Sequence, residues 1–329
     1  MGLTIGLLTA SCSARGGVLA QPSPSTVRAP QGLFFGFTWL GQGTAYVAYR
    51  SQVPEGTDLY QLNPGGGSWI RIPLPSLAGC NATDYQKPTP LGDGRLGLVR
   101  VCSRFAEDRS TLVAFDPRTR KLTPLAPGYV TYPVTQFTWD DRTGSGYISS
   151  GGGFCDGIQG VSAAAGFIPA PITVGDGSHS FRVDAPLSGP QCGATGLARL
   201  PALSPDGTSF AFIASTDAVG RTGMRRLDAA YELYVADART LRPQATGLRV
   251  ANGTSLDWSP DGRTLAFTGD VVGKGRGLWL YSVNDHSFVH LSDADAAFAA
   301  WSPYGGQILV EVVVDETMLV SKLVVLTVR

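Results

Sequence analysis

The chain of 329 residues has few of the residue types on which most enzyme active sites depend. It contains five cysteines and three histidines. It has no Gly-x-Ser-x-Gly motif, which argues against a serine hydrolase domain. It also has no Cys-x-x-Cys pair, which argues against a zinc site or a thioredoxin-like centre. The sequence therefore predicts a protein that is not an enzyme and that has neither a cofactor nor a metal site.

An excess of either charge and long hydrophobic runs are also missing. The chain has 26 basic and 26 acidic residues, and charged residues make up 16% of it. This balance argues against a nucleic acid partner. Apolar residues do not recur at helical spacing, whereas strand-like alternation is frequent and 42 glycines and 22 prolines supply turns. An all-β fold is expected.

The N-terminal residues resemble an export signal. The apolar stretch from Gly2 to Ala10 is far shorter than the roughly 20 residues that span a bilayer, but it suits the core of a signal peptide. It ends in Leu8-Thr-Ala-Ser-Cys12, which resembles the lipobox of bacterial lipoproteins. That resemblance implies lipidation of Cys12 and a membrane anchor facing the periplasm or the cell surface. A soluble periplasmic or secreted protein is the alternative.

A repeated unit occupies most of the chain. The segments 203–213, 258–268 and 301–311 each contain a strand, a turn of the type Ser-Pro-x-Gly and a second strand. Fainter copies begin at Phe37, Pro90 and Phe137. In these turns proline presets φ and glycine takes the positive φ that closes the turn. The turn glycines are at positions 43, 94, 144, 207, 262 and 305.

A second hairpin follows each turn motif, so that each unit has four strands. Its first strand recurs at 58–63, 111–116, 232–237 and 277–282. Six units of about 50 residues predict a six-bladed β-propeller with four-stranded antiparallel blades. The last unit supplies three strands, at 297–302, 307–314 and 322–328, so we expect a strand from residues 15–30 to complete it.

The pattern Trp258-Ser-Pro-Asp-Gly-Arg-Thr-Leu-Ala-Phe267 resembles the TolB-type, WD40-like propeller repeat. The resemblance covers about residues 33–329 and implies a propeller that binds partners. The predicted organisation is a signal peptide and lipobox-like segment at 1–12, a tether with the closing strand at 13–32, and a single propeller domain at 33–329. Asp93, Asp206 and Asp261 recur at one turn position and are interpreted as turn residues, not as catalytic ones.

The cysteines that remain after Cys12 are even in number, as expected where disulfides form. They are Cys80, Cys102, Cys155 and Cys192. Of the three connectivities that four cysteines allow, we expect Cys80–Cys102 and Cys155–Cys192. Each pair joins the residues before a first strand to those after a second strand, on one face of the propeller. Four buried, reduced cysteines are the alternative.

The same face is expected to have the long loops, at 103–110, 149–166, 214–231 and 269–277. Its basic residues could bind an acidic protein, a carboxylate or a glycan, although a solvated surface of mixed charge is the alternative. They are Arg221, Arg225, Arg226, Lys274 and Arg276.

The sequence favours a non-enzymatic binding or scaffold protein of the cell envelope that engages a protein or glycan partner. Two alternatives stay open. One is a lactonase-like or lyase-like propeller enzyme with a metal ion in the central channel. The other is an accessory or sensor subunit of an envelope assembly.

Overall fold

The computed structural model contains only β-strands as regular elements in the residues that it describes, and every strand pairing is antiparallel. The described residues are 24–27, 32–41, 43–50, 57–65, 67–104, 108–131, 133–150, 157–170, 172–174, 181–182, 197–215, 229–315 and 320–328. The prediction of an all-β fold is confirmed.

The first three units are separate four-stranded sheets, each paired in chain order. The first has β2 (Leu33–Leu40), β3 (Thr44–Arg50), β4 (Asp58–Asn63) and β5 (Ser68–Ile72). The second has β6 (Ala82–Pro90), β7 (Leu96–Ser103), β8 (Asp108–Asp116) and β9 (Lys121–Pro124). The third has β10 (Val134–Asp140), β11 (Ser145–Ser150), β12 (Gly157–Ser162) and β13 (Gly166–Pro169). β14 (Thr173–Val174) and β15 (Phe181–Arg182) then form a two-stranded sheet.

The fourth and fifth units share one long strand. Their strands are β16 (Leu197–Leu203), β17 (Ser209–Ser215), β18 (Tyr231–Asp237), β19 (Pro243–Trp258), β20 (Thr264–Val271), β21 (Gly275–Ser282) and β22 (Ser287–Ser292). The first half of β19 pairs with β18 as the outer strand of the fourth unit. Its second half pairs with β20 as the inner strand of the fifth. One 16-residue strand therefore passes from the rim of one unit to the centre of the next.

The last unit combines both ends of the chain. β23 (Ala296–Trp301), β24 (Gln307–Asp315) and β25 (Val320–Thr327) are completed by β1 (Pro24–Val27). In β1, Val27 pairs with Leu323 and is buried among side chains of the first and last units. The predicted N-terminal closing strand is confirmed. Apart from β14 and β15, the described strands group into six units of four, and β19 is shared between the fourth unit and the fifth.

The inner strands pack around a ring that closes in a propeller arrangement. β2 packs against β6, β6 against β10, β10 against β16, β16 against β19, β19 against β23 and β23 against β2. The Trp39 indole on β2 donates a hydrogen bond of 3.0 Å to the carbonyl oxygen of Ala300 on β23 and so links the first unit to the last. The Trp258 indole makes the equivalent bond, of 3.1 Å, to Ala202. These tryptophans join neighbouring units.

The loop predicted at 269–277 is mostly strand. The ladder between β20 and β21 continues to the pair Val271–Gly275, and a tight turn at 272–274 joins the strands. Gly273, at φ 77°, allows this turn because glycine has no Cβ to clash in the left-handed region. The prediction of a long loop here was wrong, because the glycines that suggested it close a β-hairpin instead.

Candidate functional site

A central cavity of about 630 Å³ lies inside the ring of inner strands. It opens on the face where the first and second strands of each unit are joined, since residues of these turns line its mouth. Examples are Gly92, Pro205, Pro260 and Pro303. Its size is typical of a cavity that holds a small molecule or part of a partner. The cavity opens opposite the loop-bearing face on which the sequence placed the partner.

Each of the six inner strands contains a break in register, and all the breaks fall at one depth in the cavity. The residues at this depth lie three positions before the residue that aligns with Trp258 in each unit, namely Trp39, Pro90, Trp139, Leu203, Trp258 itself and Trp301. We call them the inner ring: Gly36, Lys87, Gln136, Leu200, Ser255 and Phe298. A β-bulge redirects side chains, and bulges are frequent next to functional sites. The inner ring therefore combines one backbone irregularity with six different side chains.

Lys87 projects a charged group into the cavity. Its backbone has φ 51°, an uncommon conformation for a residue with a side chain. Its ammonium nitrogen lies 4.0 Å from the centre of the Phe298 ring, which is a cation–π contact. Burial lowers the pKa of Lys87 to about 8, while the nearby charge of Glu311 acts in the opposite direction. All four lysines of the chain lie in the described residues, and Lys87 is the one that is not exposed.

Two carboxyl groups have unusually high pKa values, and one of them, Glu311, lies within electrostatic range of Lys87. Burial raises the pKa of Glu311, on β24 opposite Phe298, to about 7, although a hydrogen bond to Ser321 and the charge of Lys87 lower it. Burial also raises the pKa of Asp257 to about 7. Asp257 lines the cavity and accepts a 2.8 Å hydrogen bond from the backbone N–H of Trp301. Near neutral pH both groups therefore exist partly as neutral acids.

Gln136 reaches across to two other units. Its Nε2 donates hydrogen bonds of 3.1 Å to the carbonyl oxygen of Pro201 and 3.0 Å to that of Leu256. These two acceptors fix the orientation of the amide. The buried Oε1 atom then has no hydrogen-bond partner among the described residues. The cavity wall thus contains a fixed acceptor that the fold leaves unused.

Asp93, Asp206 and Asp261 are found in turns at the cavity mouth. Asp206 accepts hydrogen bonds from the Ser204 hydroxyl at 2.6 Å and from the Thr208 N–H at 3.1 Å, and these bonds lower its pKa. Asp261 accepts the equivalent bonds from Ser259 and Arg263, at 2.6 and 3.2 Å. Asp93 accepts a 3.0 Å bond from the Arg95 N–H. In all three turns the carboxylate binds groups of its own turn.

Tyr304 occupies the corresponding position in the last unit and differs from these aspartates. Its side chain is 75% exposed, beside Pro303 at the cavity mouth. The turn keeps the bond from the Gln307 N–H to the Ser302 hydroxyl, at 3.2 Å. A tyrosine cannot accept the short bond that Ser204 and Ser259 donate in the other turns. Tyr304 is therefore an exposed aromatic residue at a position where the turn itself favours aspartate.

Cys80 and Cys102 form a disulfide with their Cα atoms 5.3 Å apart. It ties the segment before β6 to the end of β7. Cys12, Cys155 and Cys192 lie outside the described residues, so their predicted roles stay predictions. In the part of the chain that the structure describes, no helix is long and apolar enough to cross a bilayer.

The predicted basic patch is only partly described, because Arg221, Arg225 and Arg226 lie outside the described residues. Lys274 is exposed in the 272–274 turn. Arg276 lies on β21 and forms an ion pair of 2.6 Å with Asp295. The pairing partly neutralises this end of the patch, and its role as a binding surface stays a prediction.

The sequence did not predict the polar residues that line the cavity, namely Lys87, Gln136 and Asp257, nor Glu311, which acts on Lys87 electrostatically. One signal was present for Asp257. It directly precedes Trp258, where the other units with a tryptophan have Thr38, Thr138 or Ala300. Lys87 precedes one of the fainter turn motifs and gave no such signal. Among the described residues, no three His, Cys, Asp or Glu side chains form a group that could hold a metal ion.

No protein-family model matches the sequence, and a search of curated proteins finds no match. Solved structures do match. An oligogalacturonate lyase in complex with manganese is 11% identical, with a TM-score of 0.55 over 92% of this chain and 78% of that chain. TolB from Acinetobacter baumannii is 15% identical, with a TM-score of 0.52 over 91% of this chain and 65% of that chain. The WD40 repeats of RRP9 are 11% identical, with a TM-score of 0.53 over 94% and 100%. The chain therefore shares the fold of TolB-type and WD40 β-propellers.

Proposed function

We propose that this protein is an exported, non-enzymatic binding protein of the cell envelope that engages another envelope protein at the mouth of its central cavity. The observation that carries the proposal is Tyr304, which is 75% exposed on the cavity rim. Tyrosine is enriched among the residues that dominate protein–protein binding, because it buries a large rigid surface and keeps a polar tip. A rigid propeller with a cavity behind such a residue can position a partner segment.

Export is supported by the Cys80–Cys102 disulfide, since disulfides persist in oxidising compartments and are rare in the cytosol. The lipobox-like segment ending at Cys12 extends the proposal to a lipid anchor. Mass spectrometry of the mature N-terminus from the native host tests this part, and an unmodified Cys12 would exclude the anchor.

Site-specific photocrosslinking in native envelopes tests the partner proposal. A photoreactive amino acid is placed either at Tyr304 or at Val272, which is 53% exposed in the turn beside Lys274. We expect a protein adduct from position 304 and none from position 272. Adducts from position 272 alone would favour the loop-bearing face with Lys274 and Arg276. Glycan adducts from position 304 would show that the partner is a glycan and not a protein. The absence of adducts from both positions would contradict the proposal.

An enzyme with acid–base chemistry in the cavity is the second candidate. It is favoured by Asp257, which lines the cavity and whose pKa of about 7 suits proton transfer near neutral pH. The solved lyase suggests one direct assay, in which the protein is incubated with oligogalacturonate with and without Mn²⁺. Turnover that Asp257→Asn abolishes would favour this candidate over the first.

A further inference from the structure

The inner ring differs from the rest of the propeller repeat in one respect. All six members share a place in the strand and a break in register, but their side chains differ in charge, polarity and size. The fold therefore requires a bulge at this depth but does not determine which residue occupies the position. The identities of Lys87 and Gln136 need another explanation.

A lysine at position 87 is unfavourable for the stability of the fold. Its backbone is in the left-handed region, which is strained for a residue with a Cβ. Its ammonium group is desolvated, and within the described residues it makes no hydrogen bond or close ion pair. The Phe298 ring attracts the cation but offers no acceptor. A cation in this state gains most from an anion that enters the cavity.

The remaining groups limit the charge and shape of that anion. Asp257 lines the same cavity, and Glu311 lies within electrostatic range of Lys87. A ligand with several negative charges would be repelled by these carboxyl groups whenever they are ionised. Gln136 Oε1 has no hydrogen-bond donor among the described residues, so a ligand with a hydroxyl or amine group could donate a hydrogen bond to it. The cavity of about 630 Å³ is much larger than an inorganic ion and suits a small organic molecule.

We propose that the central cavity is a binding site for a small organic carboxylate, which pairs with the Lys87 ammonium and donates a hydrogen bond to Gln136 Oε1. Hydroxy acids and amino acids both have this chemistry. The site lies below the rim at which the partner protein is proposed to bind, and it does not depend on that proposal.

Calorimetric titration of the purified protein tests the site. The probes are two hydroxy acids, lactate and gluconate, and two amino acids, glycine and alanine, each compared with its amide. We expect saturable binding of at least one acid, and binding about tenfold weaker or more for its amide, because the amide lacks the charge that pairs with Lys87. Whether hydroxy acids or amino acids bind shows whether a hydroxyl or an amine donates the hydrogen bond to Gln136 Oε1. Failure of all four acids to bind overturns the proposal.

Variants distinguish a specific role of Lys87 in ligand binding from a general effect of the protein's charge. Lys87→Met should reduce affinity by about tenfold or more, whereas Lys121→Met, which removes an exposed lysine, should leave it unchanged. Glu311→Gln should strengthen binding, because it removes a carboxyl group that competes with the ligand for Lys87. Equal affinity of wild type and Lys87→Met contradicts the proposal.

A measurement on the wild-type protein covers the case in which Lys87→Met does not fold. With only four lysines in the chain, NMR of protein labelled with ¹³C at lysine Cε can follow each ammonium group separately. Addition of the bound carboxylate should raise the pKa of one lysine from its lowered value and leave the other three unchanged. A ligand that binds without shifting any lysine pKa binds elsewhere and overturns the proposal. Loss of partner crosslinking at position 304 would leave this result unaffected.

Discussion

The ammonium group of Lys87 in the second unit lies 4.0 Å from the centre of the Phe298 ring in the sixth, so the two side chains meet across the first unit. Gly36 of the first unit leaves the space for this contact. A Cβ atom at Gly36 would lie 3.2 Å from Cα and 3.3 Å from Cδ of Lys87. A glycine in one unit therefore determines where a lysine of the next can reach.

Gly36→Ala should destabilise the protein by about 1–3 kcal/mol. Gly36 has φ 115°, which strains any residue with a Cβ, and the added methyl group would also press on Lys87. Urea denaturation measures the loss. Gly41→Ala is the control, because Gly41 also has positive φ, at 43°, but an added Cβ there meets nothing within 4 Å. We expect Gly41→Ala to cost about 1 kcal/mol. Equal costs for the two variants would show that the contact with Lys87 contributes nothing.

Asp257→Asn and Asp261→Asn should change stability in opposite directions, although the two residues are four positions apart. Burial raises the folded-state pKa of Asp257 from 3.8 to about 7, so its contribution is favourable at low pH and is lost as the pH rises through about 7. Hydrogen bonds, chiefly from Ser259, lower the pKa of Asp261, so its contribution is present above pH 3.8 and is lost as the pH falls below that value.

At about pH 8, therefore, Asp257→Asn should stabilise the protein by about 1 kcal/mol or more, and Asp261→Asn should destabilise it by about 1 kcal/mol. Near pH 4 the gain from Asp257→Asn should disappear, since the wild-type carboxyl group is then protonated as well. Urea titrations of both variants across this range measure the effect. A gain from Asp257→Asn that does not depend on pH would contradict the assigned cause.

The fold could be predicted because its turns repeat. Each Ser-Pro-x-Gly turn must meet the same φ requirements, so the same residues recur at 204–207, 259–262 and 302–305, and the spacing of the glycines shows the units. The closing strand followed from counting strands in the last unit. Loop lengths were less predictable, because glycines at 273, 275 and 277 are compatible with either a loop or a hairpin.

The cavity chemistry could not be predicted in the same way. The inner ring has no shared residue type, and a bulge leaves no signature when its residues are as different as Lys87 and Phe298. Glu311 interrupts a run of apolar residues in β24, and the sequence gives no sign that it lies near a lysine from another unit. Tyr304 was visible in the sequence as a departure from the turn pattern, but its exposure at the cavity rim required the structure.

Removal of the Cys80–Cys102 disulfide should lower stability by about 3 kcal/mol. The two cysteines are 22 positions apart, and a crosslink that closes a loop of this length restricts the unfolded chain by about that amount. Thermal unfolding of Cys80→Ser/Cys102→Ser measures the loss. Addition of a reductant should lower the melting temperature of the wild type at least to that of the variant. A melting temperature that is unchanged in the variant would show that the crosslink contributes no stability.

Tyr304→Asp should stabilise the protein by about 0.5–1 kcal/mol while it abolishes crosslinking to the partner. The introduced carboxylate can accept a hydrogen bond from Ser302, as Asp206 accepts one from Ser204 and Asp261 from Ser259. Urea midpoints measure the stability. Partner capture is followed by photocrosslinking from a residue of the same rim, Pro260, in proteins with and without the Tyr304 substitution.

Tyr304→Ala is the matched control, because it removes the aromatic ring without supplying an acceptor to Ser302. It should lose the partner in the same way but gain no stability. Equal midpoints for the Asp and Ala variants would refute the turn argument. Undiminished crosslinking in both variants would instead show that Tyr304 is not part of the binding surface. If Tyr304 is retained because it binds the partner, although aspartate would make the turn more stable, the Asp variant should be more stable than the wild type and should no longer bind the partner.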